Sequence, residues 1–226
     1  MDLAQSEARY RRRVAEEWSK APLDGAHDLG HLARVWANAR TIAVNEGGDL
    51  TVLLAAAYFH DFVNLPKSAP NRAQASRISA AAARPILLAE GLSPAQTDAA
   101  AHAIEAHSFS AGIAPLTLEA KILQDADRLE ALGAIGIARC FAVTGQLGGA
   151  LFDQADPMAL NRPLDDRTFA LDHFEVKLLR LPERMQTATG RAMADERAEW
   201  MMSFRTRLLF EAGCFAAPQT PIRSRP

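Results

Sequence analysis

The residues best suited to chemistry stand at one junction, Tyr58-Phe59-His60-Asp61. An apolar run from Val52 to Phe59 ends there, and an imidazole and a carboxylate follow where the pattern would bury them. Buried ionisable groups are costly unless paired or bound to a metal. Taken alone, a His-Asp pair reads as a core histidine bonded to a neighbour, and the company it keeps changes that reading. Adjacent helical residues point about 100° apart. His60 and Asp61 therefore cannot clasp an ion as an i, i+4 pair would, but they can flank one that approaches the side of the helix. Such an ion needs ligands from other helices, and His31 is the best candidate. His27 lies four residues before His31 and shares its face if that helix begins early enough. Asn64 lies four residues past His60 on the same face, and Pro66 stops the helix.

A second acidic group is Gln124-Asp125-Ala126-Asp127-Arg128, set among Ile122, Leu123, Leu129, Leu132 and Ile135. A helix that is apolar nearly all round belongs near the centre of a fold. Its two aspartates are about 200° apart on the helical wheel. A regular helix can therefore aim only one of them at a given ion, and periodicity does not choose between them. The other is left for a basic side chain or for a histidine behind the ligands. Arg128 is either a cation for a phosphate or the partner of a carboxylate. Gly133 and Gly136 allow close helix packing.

The periodicity of the chain is helical almost throughout. It predicts helices over 3–20 (inner face Leu3, Tyr10, Val14, Trp18), 28–46, 50–62, 71–90, 94–107, 117–144, 167–180 and 183–212. Pro22 with Asp24-Gly25, the segment 63–70, and Ser108 to Leu116 read as turns and loops. Ser93-Pro94 reads as an N-cap with proline in the first turn. The stretch 145–166 is rich in glycine, proline and acids, and a loop of that length is usually functional or disordered. One domain is expected over 1–213, with a core about 25–144, C-terminal helices about 167–213, and a flexible tail over 214–226.

The chain has 226 residues and a formal net charge of −2. It therefore has no basic field for duplex nucleic acid. Cys140 and Cys214 read as buried free thiols of a reducing compartment. The charged N-terminus and the lack of a long apolar run give the expectation of a cytoplasmic protein with no membrane partner.

Four words in order carry a family resemblance: His31-Leu32-Ala33-Arg34-Val35, His60-Asp61-Phe62-Val63-Asn64-Leu65-Pro66-Lys67, Glu105-Ala106-His107-Ser108-Phe109-Ser110, and Gln124-Asp125-Ala126-Asp127-Arg128-Leu129. They resemble the H…HD…D signature of the HD-domain phosphohydrolase superfamily, and within it a small bacterial branch of predicted hydrolases. The resemblance spans about residues 25–212, including Asp172-His173-Phe174 to Lys177-Leu178. It implies an all-α HD-domain helical bundle with extra C-terminal helices. It also implies metal ligands His31, His60, Asp61 and Asp127, with Asp125 as the fallback. His102 and His107 are about 140° apart on a helix and cannot form a joint chelate. His107 reads as facing the pocket and His102 as structural.

The implied activity is cleavage of a phosphate ester or pyrophosphate bond in a nucleotide-like substrate by metal-activated water. Two imidazoles and two carboxylates suit a divalent ion such as Mn, Co, Ni, Fe or Mg. Asp61, Lys67, His107 and Arg128 are the expected catalytic residues. Asn64, Lys67, His173 and Lys177 are the expected substrate contacts, the last two closing over the site from the C-terminal helices. Lys67 follows the HD helix directly and is one of only four lysines. The rival readings are a degenerate HD domain that binds a nucleotide without cleaving it, an HD-fold di-iron oxygenase, and an all-helical transcriptional regulator. The last needs a helix-turn-helix with a basic recognition helix. Arg9, Arg11, Arg12 and Arg13 share their helix with Glu7, Glu16 and Glu17, and no such second helix follows.

Overall fold

The computed structural model describes residues 2–20, 28–63, 65, 72–108 and 111–214. His27, Asn64 and Lys67 lie outside the described residues, as do Pro22, Asp24-Gly25, Pro66, Pro70 and the tail beyond Cys214. Within them the fold is all-α. Nine α-helices are described: α1 (Leu3–Trp18), α2 (Leu29–Glu46), α3 (Leu50–Phe59), α4 (Ala75–Ala89), α5 (Pro94–His107), α6 (Leu118–Arg128), α7 (Gly133–Gln146), α8 (Ala170–Val176) and α9 (Ala188–Glu211). None of them is long and apolar enough to cross a membrane.

The bundle is built around α3. Every residue from Val52 to Phe59 is buried, as a helix apolar on all faces must be. Its start is set by Asp49, whose carboxylate accepts from the Thr51 and Val52 amides at 2.7 and 3.3 Å and from the Gln96 side chain at 2.8 Å. Helices α2, α5 and α6 surround it, and α4 packs on α5. Helix α1 braces its far end. Tyr10 meets Phe59 edge-on, the Tyr58 hydroxyl donates to Glu7, and the Trp18 indole donates to the Phe62 carbonyl. The buried face of α1 is Ser6, Tyr10, Val14 and Trp18, with Leu3 only half-buried. The expected N-cap at Ser93 is present as a reciprocal capping box with Gln96.

Five expected helices differ. The 71–90 helix is α4 from Ala75, behind a 3-10 turn over Arg72–Gln74. Helix α3 ends at Phe59, and His60 and Asp61 form the turn beyond it. The expected 117–144 helix is broken. Helix α6 stops at Arg128, a 3-10 turn covers Leu129–Ala131, Leu132 is extended, and α7 begins at Gly133. Gly133 has φ +66° and Gly136 sits where a Cβ would lie 2.2 Å from the Ala131 carbonyl oxygen. These glycines serve a turn of their own chain, which a periodicity rule for helix packing does not register. The expected 167–180 helix is only α8 followed by a 3-10 turn, Leu178–Arg180, and the last helix starts at Ala188 behind the Thr187 cap.

The stretch 147–169 is an ordered excursion. The buried carboxylate of Asp172 receives both terminal nitrogens of Arg162, at 2.5 and 2.9 Å, and the Asp165 amide at 2.7 Å. The Arg162 guanidinium also lies over the Phe169 ring. Both cysteines are free thiols; Cys140 is buried, whereas Cys214 is only half-buried at the end of α9.

Candidate metal centre

Four segments deliver ionisable side chains to one point. Helix α2 brings His31, the turn after α3 brings His60 and Asp61, the last turn of α5 brings His107, and the last turn of α6 brings Asp127. His31 Nε2 lies 3.3 Å from His60 Nε2, 3.6 Å from Asp127 Oδ1 and 3.9 Å from Asp61 Oδ2. His60 Nε2 lies 3.4 Å from Asp61 Oδ2, and His107 Nε2 lies 3.7 Å from Asp61 Oδ1. Two overlapping groups, His31–His60–Asp127 and His60–Asp61–His107, each place their ligand atoms within 4.8 Å of one another. The imidazoles are sealed at the back, whereas the Asp61 and Asp127 side chains keep 25% and 31% exposure. The opening to solvent is on the carboxylate side.

The donor set fits a cation. His60 Nδ1 is 2.9 Å from the Ala57 carbonyl and His107 Nδ1 is 2.7 Å from the Ile104 carbonyl. His31 Nδ1 is 3.5 Å from Glu130 Oε2. Carbonyl and carboxylate oxygens only accept, so each Nδ1 carries the proton and each Nε2 turns a lone pair inward. Inward lone pairs facing two carboxylates call for a positive charge between them. In the metal-free protein a proton on Nε2 supplies that charge: burial opposes protonation of His60, yet Asp61 and then Asp127 outweigh it and push its pKa up to about 9. Burial likewise opposes ionisation of Asp61 and Asp127, and the facing imidazoles win, holding both carboxyls below the usual range.

The two aspartates of α6 part company. Asp125 is wholly buried and turned toward the start of α9. Its carboxylate accepts from the Gln186 amide at 2.8 Å, and from the Thr187 amide and hydroxyl at 2.8 Å each. A Cβ on Gly190 would come within 2.5 Å of it. The fallback ligand therefore fastens the C-terminal helix and stands outside the cluster.

Arg128 donates to the Arg184 carbonyl, so its guanidinium is directed to the C-terminal segment. His102 Nε2 accepts from the Leu116 amide at 3.0 Å and ties down the loop after α5. His173 and Lys177 line a different cavity, none of whose lining residues belongs to the cluster. They do not close over it as expected.

Sequence reasoning missed Glu130. It is buried, and its Oε2 accepts from Arg34 Nε at 2.7 Å as well as facing His31. Burial pushes its carboxyl up, but His31 and Arg34 prevail and hold it down. An acid that fixes the ring of a ligand histidine sets its tautomer and basicity. The available signal was a lone glutamate in the apolar stretch Leu129 to Leu132.

Comparison with known proteins adds the following. The HD-domain family model matches residues 28–132. YpgQ of Bacillus subtilis (strain 168) is 35% identical over 184 residues, covering 79% of this chain and 80% of the relative. The crystal structure of YpgQ in complex with ADP superposes with a TM-score of 0.71 at 32% identity, covering 93% of this chain and 97% of that one. A solved HD-superfamily hydrolase from Bacillus thuringiensis gives a TM-score of 0.73 at 29% identity, covering 94% of this chain and all of that one.

Proposed function

Because this chain belongs to the HD-domain family, with solved HD-superfamily hydrolases among its relatives, we propose that it is a metal-dependent phosphohydrolase acting on a phosphate ester or pyrophosphate bond of a nucleotide-like substrate. The observation that carries the reading is the inward set of Nε2 lone pairs from His31 and His60, closed by Asp61 and Asp127. These four residues would hold a divalent ion, of the Mn, Co, Ni, Fe or Mg type. When bound, that ion supplies a Lewis acid for the phosphoryl oxygens and acidifies water. The relative solved with ADP supports a nucleotide-like substrate.

The chain's own residues would divide the remaining work. Asp61, held ionised at the solvent side, is the acceptor for a proton of the attacking water. His107 keeps its Nδ1 on the Ile104 carbonyl, so it exchanges protons only at Nε2, which faces Asp61. That places it to relay a proton between Asp61 and the leaving oxygen. Asn64 and Lys67, outside the described residues, follow the HD pair directly. In this reading they contact the phosphate, with Lys67 offsetting charge on its oxygens.

The test is a metal-by-substrate screen on purified protein. It would cover nucleoside triphosphates, other pyrophosphates, phosphomonoesters and cyclic nucleotides, with Asp61→Ala as control. Metal-dependent turnover of at least one class that the variant loses is expected. Equal turnover by wild type and variant on every substrate would overturn the enzyme reading.

A further inference from the structure

Helix α7, helix α8 and the 147–169 excursion line an open cavity of about 640 Å³. That is within the size range of sites for small organic ligands. Its apolar lining includes Cys140, Val143 and Leu178. Leu147 stands 74% exposed at the lip. The rim carries three cations, Arg139, Arg167 and Lys177. Arg139 donates to the Glu130 carbonyl at 3.3 Å. Arg167 and Lys177 have no ion pair among the described residues. The one acid on the wall, Asp166, is engaged with His173 Nδ1 at 3.0 Å. The wall that presents Asp166 and Arg167 is held in place by the buried Arg162–Asp172 pair and by Ala150 bonding to both Thr168 and Ala170. A long excursion ordered by a buried carboxylate, with cations beside an apolar lining, has the makings of a ligand site.

We propose that this cavity is a second binding site, for a phosphate ester of nucleotide size. Its uncharged body would lie on Val143, Leu147 and Leu178, and its phosphate would meet Arg167 and Lys177. Two cations lining one cavity favour a multiply charged anion, and the apolar lining favours one with a carbon body. The site is separate from the metal cluster and needs no metal.

The experiment is calorimetric titration of ADP into the full chain held in EDTA, with pyrophosphate as the charge-only probe. One ADP per chain is expected. Arg167→Glu and Val143→Trp should each weaken it at least tenfold, whereas Asp61→Ala should leave it within about twofold. Pyrophosphate should bind at least tenfold more weakly than ADP. Arg167 is exposed on the excursion, so its variant tests the site even if the tryptophan disturbs packing. Unchanged ADP affinity in both cavity variants would overturn the proposal, as would loss of binding in Asp61→Ala or equal affinity for pyrophosphate. The cavity variants report on this site and Asp61→Ala on the metal cluster, so failure of this proposal and failure of the hydrolase reading are distinguishable.

Discussion

His31 and His60 meet nose to nose, Nε2 to Nε2 at 3.3 Å, with each opposite nitrogen already aimed at an oxygen acceptor. Two imidazoles so arranged repel unless something positive lies between them. Metal loading should therefore stabilise the fold. A ligand at a hundred times its dissociation constant adds about 2.7 kcal/mol, so Mn²⁺ should raise the melting temperature of EDTA-treated protein by several degrees. His60→Ala should abolish that rise, and an identical rise in the variant would place the ion elsewhere.

Asp125 and Asp127 are two residues apart and should fail differently. Asp127→Asn should lose bound metal, read by elemental analysis, and should cost the metal-free protein less urea stability than Asp125→Asn does. Burial outweighs the donors and raises the Asp125 pKa, so the loss in Asp125→Asn comes from an NH2 group facing the Gln186 and Thr187 donors where an oxygen accepted them, and a buried donor left unsatisfied costs about 1–3 kcal/mol. The variant should destabilise the metal-free fold by about 2 kcal/mol and keep the metal. The opposite pattern would reverse the assignment.

Glu130→Gln tests the support behind His31. Loss of such a partner typically weakens metal binding about 10- to 100-fold. The dissociation constant for Mn²⁺ should move by that factor, while Arg34→Met, which leaves Glu130 its contact with His31, should move it less. Unchanged affinity in Glu130→Gln would show that His31 is oriented without it.

Asp49 couples the start of α3 to α5, and its carboxyl has a pKa below the ordinary value. Burial pushes it up, but the bonds from Gln96, Thr51 and Val52 prevail. A depressed folded-state pKa contributes stability above the unfolded value, about 3.9, which is lost as pH falls through the folded one. Asp49→Ala should cost about 1 kcal/mol at pH 7, and the gap should close as denaturation is repeated toward pH 3. A gap constant with pH would mean the carboxylate charge is immaterial.

Much of this was legible in the residues. An apolar run that ends on His60-Asp61 can only deliver them from the interior, and the 200° between Asp125 and Asp127 meant that one had to face elsewhere. The direction each took was not legible, because it depends on where α9 crosses α6. Glu130 was hidden for a related reason. It reaches His31 only because the chain departs from helix at Leu129–Leu132, and that departure rests on Gly133 at φ +66°. Hydrophobic periodicity counts residues as though the helix continued. The expected closure of His173 and Lys177 over the site from the C-terminal helices fails because both face another cavity, beside the segment that the Arg162–Asp172 pair anchors.

Helix α3 is interior on every side, and this has a consequence for how the centre could change. A helix with no solvent face cannot shift or rotate without opening voids throughout the bundle. The imidazole of His60 is therefore as immobile as the core itself. The carboxylates of Asp61 and Asp127 stand at the solvent rim, 25% and 31% exposed. Retuning the preferred ion, whether by natural drift or by engineering, should proceed through that acidic rim, while the nitrogen half of the centre stays as the architecture supplies it.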